Sequence, residues 1–456
     1  VVLVAAVIGT RMPHLAPLWV CTMALGVLLG LRGAKVPVTT AEYRGWRYFL
    51  TATVALSSVL TLRETLGGHP AVFVGGAIAA TALALAAGEP RSPSRLSTAG
   101  FVGLLAIEAF GLIRLASFGD GAHIDVLVFL NEGSHRMVSG IDPYLPGYPN
   151  IYDPRVSPQL YGPGIVGPDN RLTVGLPYMP VTLVATVPAY LLGDARFAAV
   201  ALILAASALM FWSGPVNARP AAILLAYAPG LGQMVLNGWT ETMIVAGFAF
   251  AVVAARCRRW LLAAALLGVA FASKQYFVVA VPCLWLLRPY ATRQRIAAFV
   301  TVPLVVTLPF LLWHPRAFWR SIVEFQLLQP LREDSLSFLT WSVSEFGWSG
   351  FTAAAPLSLG AGVACAAVLA WRSRPGADTF LLATGVSLFV TTALSKQAFL
   401  NYYFLVGGLL LLSGWARAAA RGSEEASLPH HDGFTEPSAP TIDGRSGTSL
   451  TFAANR

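Results

Sequence analysis

The sequence predicts an all-α polytopic membrane protein, a bundle of about 11–14 transmembrane helices. Three observations carry that expectation. Of 456 residues, 56% are hydrophobic and only 12% charged, against roughly a quarter charged in an ordinary soluble domain. Apolar runs approaching the ~20 residues needed to cross a hydrocarbon core succeed one another with short polar breaks. The basic residues, 31 against 22 acids for a formal net charge of +9, sit in small groups at the ends of those runs. A polytopic membrane protein keeps its basic residues there, so nucleic acid is not expected as a partner. Cys21, Cys257, Cys283 and Cys365 lie in or beside apolar runs without CxxC or Cys/His spacing, which gives neither a disulfide framework nor a zinc site.

In chain order, spans are expected at 15–31, 46–62, 71–87, 99–116, 173–192, 197–212, 236–255, 261–272, 276–287, 296–313, 352–371, 379–394 and 402–415. The nine apolar residues that open the sequence are too few for a signal peptide and stay unassigned. Two stretches are ambiguous. Residues 221–234, interrupted by Pro229 and Gly230, read as a short crossing or a re-entrant hairpin. The runs flanking Lys274 are short for full spans and read as two tilted helices or one broken one. Residues 1–98 are taken as N-terminal transmembrane helices, 99–415 as the functional region, and 416–456 as a disordered cytoplasmic tail rich in Ser, Gly, Pro and Thr.

Orientation follows from Arg and Lys in short loops. Alternating the spans puts Arg32, Lys35, Arg44 and Arg47 on one side with Arg91 and Arg95, the 256–259 and 288–295 groups, Arg372 and Arg374, and Arg417 and Arg421. That side is expected to be cytoplasmic. The opposite side receives two long polar loops, 119–171 and 314–349, which hold ten of the 22 acids.

Asp125 follows a span in the first loop and starts a helical stretch on which Val126, Phe129 and Leu130 can rest on the membrane. A carboxylate held there in a partly dry site can take a proton from a hydroxyl; the bland alternative is a solvated acid or a helix cap. Asp142 precedes Pro143 and Asp153 precedes Pro154, where an Asx turn explains each without function; Asp142 is kept as a second choice for substrate binding. Lysine is rare, three residues against 28 arginines, and two of the three recur in Ser273-Lys274-Gln275 and Ser395-Lys396-Gln397. An ammonium beside an amide donor suits a phosphate entering from the lipid side, and snorkelling to the interface is the alternative.

In the second loop Phe318, Ile322 and Phe325 have the spacing of an amphipathic surface helix. Arg332 can grip a phosphate in bidentate fashion or pair with Glu333 or Asp334. His314, beside Trp313 and Pro315, can donate to a phosphate oxygen or mark the interface. Within the apolar runs, Glu108 and Glu241 call for buried partners, Arg114 and Lys274 being the candidates.

The order of these features resembles the GT-C superfamily of membrane glycosyltransferases that use polyprenyl-phosphate sugars, and within it the bacterial mannosyltransferase-like family 87. The resemblance rests on His123-Ile124-Asp125, Gly140-Ile141-Asp142-Pro143-Tyr144, the Gly238 to Glu241 segment, Lys274 after Leu266, Gly268 and Ala270, and Gln329-Pro330-Leu331-Arg332, between residues 99 and 415. It implies a GT-C-like bundle with an extracytoplasmic active site under amphipathic loop helices. It also implies inverting transfer of a sugar, mannose being the expected one, from a polyprenyl-phosphate donor to a lipid or cell-envelope glycan. The family's loop acid maps onto Asp125, and its donor-phosphate cations onto Lys274, Arg332 or His314, with Gln275 and Asp142 as further substrate contacts. The sequence departs from that pattern in placing about four spans before the loop, where the family usually has one. No metal is obligatory for such a displacement, although Asp120 and Asp125 have conceivable ligand spacing. The donor, the acceptor and membrane lipids are then the expected partners. The competing readings are a transporter or flippase of a lipid-linked glycan, disfavoured by the absence of an internal repeat, and an assembly protein without catalysis.

Overall fold

In a computed structural model of the chain, residues 2–9, 15–33, 49–59, 61, 70–87, 95–118, 124–347 and 354–425 are described. Asp120 and His123, the Lys35 to Arg47 cluster, Arg91 and the tail from 426 lie outside them. The described residues are mostly helical, and their β pairing consists of two isolated bridges, Pro149 with Arg171 and Val166 with Leu172. Four helices among them are long and apolar enough to cross a membrane: Arg95–Ser117, Arg196–Ser213, Arg293–Trp313 and Leu400–Arg421. The Arg293–Trp313 helix has only 6% of its apolar window buried, and Val300, Leu304, Val305 and Leu312 point outward. An apolar helix with so little protein around it needs another apolar medium to cover it.

The two ambiguous stretches resolve into interrupted helices. Arg219–Ala226 stops ahead of Pro229, Gly230 turns with φ of 90°, and Leu231–Leu236 resumes, with most of both pieces buried. The Trp260–Phe271 helix ends before Lys274, and the chain continues as a sixteen-residue 3₁₀ helix, Gln275–Tyr290, containing Pro282 and Pro289. Missing N–H groups at two prolines weaken α-helical bonding there. A 3₁₀ rise of about 2.0 Å per residue lets sixteen residues extend about 32 Å, so the short run gains length by being overwound.

The expected span at 173–192 is corrected. Its helix is Pro180–Leu191, and residues 173–179 are extended and irregular. Pro177 and Pro180 keep Leu176 and Met179 out of the helical region, and Val174 and Leu176 are buried in the loop core instead. Nor does the last helix end at residue 415, where the tail was expected to begin. It runs Leu400–Glu425.

Two cores result. The large one joins the helices of the bundle, with Phe211, Phe248, Phe404 and Trp415 fully enclosed. The second is a cap built from 125–178 and 314–328, and it corrects the expectation of faces resting on the membrane: Phe318, Ile322 and Phe325 bury theirs against Phe129, Tyr144 and Tyr161, and Leu130 is enclosed as well, because the two loops supply each other's apolar cover. The cap is held by polar ties: Ser321 Oγ accepts from the Gly175 N–H at 2.8 Å, and buried Arg136 donates to the Leu145 carbonyl at 2.8 Å while lying 4.1 Å over the Tyr148 ring.

The bundle has unlike ends. One gathers arginines: Arg256 donates to the carbonyls of Ser213 and Ala419, Arg295 lies over Trp260, and Arg417 pairs with Asp378. The capped end holds Asp125, Glu241, Lys274, Arg332 and Lys396. The Glu241–Arg256 helix begins at one end and finishes at the other, a separation of about 24 Å at 1.5 Å per residue.

Candidate functional site

Asp125 opens the Asp125–Val138 helix after Ile124, whose extended backbone breaks the chain direction. In this first turn the unpaired N–H groups favour a carboxylate. Asp125 is half-buried, and its Oδ2 accepts from the Tyr161 hydroxyl at 3.0 Å. The Asp125 N–H donates to the Tyr152 hydroxyl at 3.2 Å, and the two tyrosine rings pack 5.6 Å apart. Burial pushes the Asp125 carboxyl above its ordinary range, while the Tyr161 hydrogen bond and the nearby Arg332 guanidinium pull the other way. Burial and the Asp125 charge in turn keep the Tyr152 and Tyr161 hydroxyls protonated, so they serve as donors. The arrangement is a carboxylate made more basic by dryness yet restrained by two donors and a cation.

Beside it lies a second charged group. Glu241 is fully buried at the start of its helix, and its Oε1 lies 3.2 Å from Lys274 Nζ and accepts from the Tyr276 hydroxyl at 3.4 Å. The sequence-based pairing of Glu241 with Lys274 is thus what the structure contains. The ammonium also lies 4.7 Å over the Tyr178 ring. Burial, Asp125 and Glu241 together raise the Tyr178 hydroxyl, which therefore stands within the field of both acids. Gly238, at φ of 64°, stands in the turn before Glu241 so near Leu127, two residues beyond Asp125, that an added Cβ would lie 3.3 Å from the leucine side chain.

The other candidates are distributed unevenly. Asp142 is buried, its Oδ1 accepting from the Tyr144 N–H at 2.8 Å and its Oδ2 lying 2.7 Å from His314 Nδ1. The two substrate-binding candidates thus bind each other, around an Asx turn of the kind Pro143 foreshadows. Gln275 Nε2 donates to the Ile322 carbonyl at 2.9 Å, fastening the break after Lys274 to the amphipathic helix of the cap. Arg332 forms a fork with Asp334 at 2.9 and 2.8 Å and lies 5.1 Å over Phe399. Asp153 accepts the Arg155 N–H in a local turn.

Lys396, which the resemblance did not single out, is tied to the loop that carries Arg332. Its carbonyl accepts from the Arg332 N–H at 3.2 Å, and its ammonium donates to the carbonyls of Leu327 and Gln329. Tyr152, Tyr161, Tyr178, Tyr276 and Tyr402 also escape a reading that looks for charge. For Tyr152, Tyr161 and Tyr178 the signal is density: five of the 13 tyrosines fall between 144 and 178. No protein-family model, curated protein or solved structure matches the chain.

Proposed function

We propose that the chain is a polytopic membrane glycosyltransferase of the GT-C type. It transfers a sugar, mannose in our reading, from a polyprenyl phosphate to a lipid or cell-envelope glycan on the extracytoplasmic face. The observation that carries the proposal is Asp125: a half-buried carboxylate of raised basicity, positioned by Tyr161 and within the field of Arg332. The arginine-rich opposite end supports the orientation, because basic residues are retained on the cytoplasmic side.

In the proposed displacement the acceptor hydroxyl lies against Asp125. Its oxygen forms a bond to the anomeric carbon as the bond from that carbon to the phosphate oxygen breaks with inversion. The hydroxyl proton passes to the Asp125 carboxylate, and the electron pair of the broken bond leaves on the polyprenyl phosphate. A cation beside that phosphate stabilises the negative charge that builds there. A base drier than a surface carboxylate is the better proton acceptor near neutral pH.

The test uses purified protein in sealed vesicles with radiolabelled polyprenyl-phosphate mannose and a glycolipid acceptor. Label on the acceptor is the expected result. Label that changes leaflet while staying on the carrier would establish a flippase and end the transferase reading.

A further inference from the structure

At the end opposite Asp125 the chain concentrates positive charge without offsetting it. No acidic residue occurs between Glu241 and Glu324, a stretch that contains Arg258, Arg259, Arg288, Arg293 and Arg295. All five fall where the Trp260–Phe271 and Arg293–Trp313 helices begin and the 3₁₀ helix Gln275–Tyr290 ends. These element ends are locked together. Trp260 stacks on Tyr290 at 5.4 Å, and the Arg295 guanidinium lies 5.0 Å over the Trp260 ring while donating to the Tyr290 carbonyl at 2.8 Å. A planar guanidinium fixed through one N–H has its other donors aimed in a set direction.

Among the described residues none of the five has a carboxylate in ion-pair reach. One exposed arginine without a partner is ordinary; five in one corner repel one another. Arg258 even turns the chain with φ of 58°, a conformation that glycine adopts at less cost.

Arg293 also heads an apolar face. Arg293, Ile296, Val300 and Leu304 recur at helical spacing and are all exposed. The stripe therefore begins with a guanidinium and continues as about 12 Å of aliphatic surface, at 1.5 Å per residue, down a helix long and apolar enough to cross a membrane. Charge and depth select what covers it. A soluble anion would meet the guanidiniums and leave the stripe bare. A zwitterionic lipid would bring an ammonium to a corner that has no carboxylate for it. An anionic phospholipid meets both demands.

We infer that this corner binds an anionic phospholipid of the adjoining leaflet, its phosphate on Arg293 and Arg295 and an acyl chain along Ile296, Val300 and Leu304. The length of the Glu241–Arg256 helix separates it from the Asp125 end. The lipid is accordingly a clamp on the helix ends and not a substrate, and the inference does not rest on the glycosyltransferase reading.

The test titrates the full-length protein in neutral detergent with dioctanoyl phosphatidylglycerol, dioctanoyl phosphatidylcholine and glycerol 3-phosphate, and reads binding by native mass spectrometry. Expected is saturable binding of phosphatidylglycerol at least about tenfold tighter than of either control, weakened at least about tenfold in the double variant Arg293→Gln with Arg295→Gln. Arg293 is exposed and makes no hydrogen bond through its side chain among the described residues, so Arg293→Gln alone keeps the fold and should weaken binding about fivefold. The double variant Arg372→Gln with Arg374→Gln removes the same charge from the same end and should bind as wild type does. Equal losses in the two double variants would replace the site by diffuse attraction to a basic surface. Unchanged binding in folded Arg293→Gln with Arg295→Gln, or equal binding of the two phospholipids, would overturn the inference. Glycerol 3-phosphate binding as tightly as phosphatidylglycerol would remove the acyl stripe from it, and a dimer cross-linked through Val300→Cys would give the stripe to a second copy of the chain.

Discussion

Asp125 and Asp142 lie seventeen residues apart on one loop, and the sequence offers a bland explanation for each, a solvated acid or helix cap for the first and an Asx turn for the second. Their surroundings differ. Asp142 is enclosed, and both its oxygens are satisfied by partners the chain itself supplies, the Tyr144 N–H and His314. Asp125 is only half-buried, its carboxylate is held by the Tyr161 and Tyr152 hydroxyls, and it feels a guanidinium that is itself paired with Asp334. A carboxylate enclosed and paired within the chain holds a fold together; one that is partly dry yet still reachable can take a proton from a visitor. What separates the two roles is whether a visitor can reach the carboxylate.

The comparison can be broken in three ways. The largest effect is expected from Asp125→Asn, which preserves shape and removes the base: transfer should fall by about 10³-fold, within the usual range for a general base, with the melting temperature unchanged. Radiolabel transfer per folded molecule measures it. Next is Lys274→Met, which leaves the Glu241 carboxylate buried without its cation; destabilisation of about 3–5 kcal/mol is expected, read by thermal unfolding in detergent. Adding Glu241→Gln should recover most of that loss, because the uncompensated charge is then gone. Asp142→Ala should cost about 1–3 kcal/mol by stranding the Tyr144 N–H, with turnover of the folded fraction near wild type. Loss of turnover without loss of stability in Asp142→Ala would reverse the roles assigned to the two acids.

Much of the bundle is legible from hydropathy, and the reason is physical. A helix crossing an apolar medium must be apolar along its length, as Arg196–Ser213 and Arg293–Trp313 are. The amphipathic face of Phe318, Ile322 and Phe325 is legible for a related reason, since helical spacing fixes what can be buried together. Residues 173–179 are not, because apolar side chains such as Val174 and Leu176 look alike whether they face lipid or a loop core. Tyr178 consequently sits inside an expected span while occupying the site. The Glu241 and Lys274 pair can be guessed because an isolated charge in an apolar run needs a partner. The Tyr161 contact to Asp125 spans 36 residues of irregular loop, and no local pattern announces it.

The central claim is that Asp125 titrates as the base of the reaction, and the pH dependence of kcat/KM tests it most directly. The group must be ionised to act, so activity rises with pH through its folded pKa, which burial holds above the ordinary carboxylate range. The acidic limb should therefore lie above about pH 4. In Tyr161→Phe, where the hydrogen bond that favours the ionised form is removed, it should move further up. An acidic limb that stays put in Tyr161→Phe, or that persists in the residual activity of Asp125→Asn, would contradict the account.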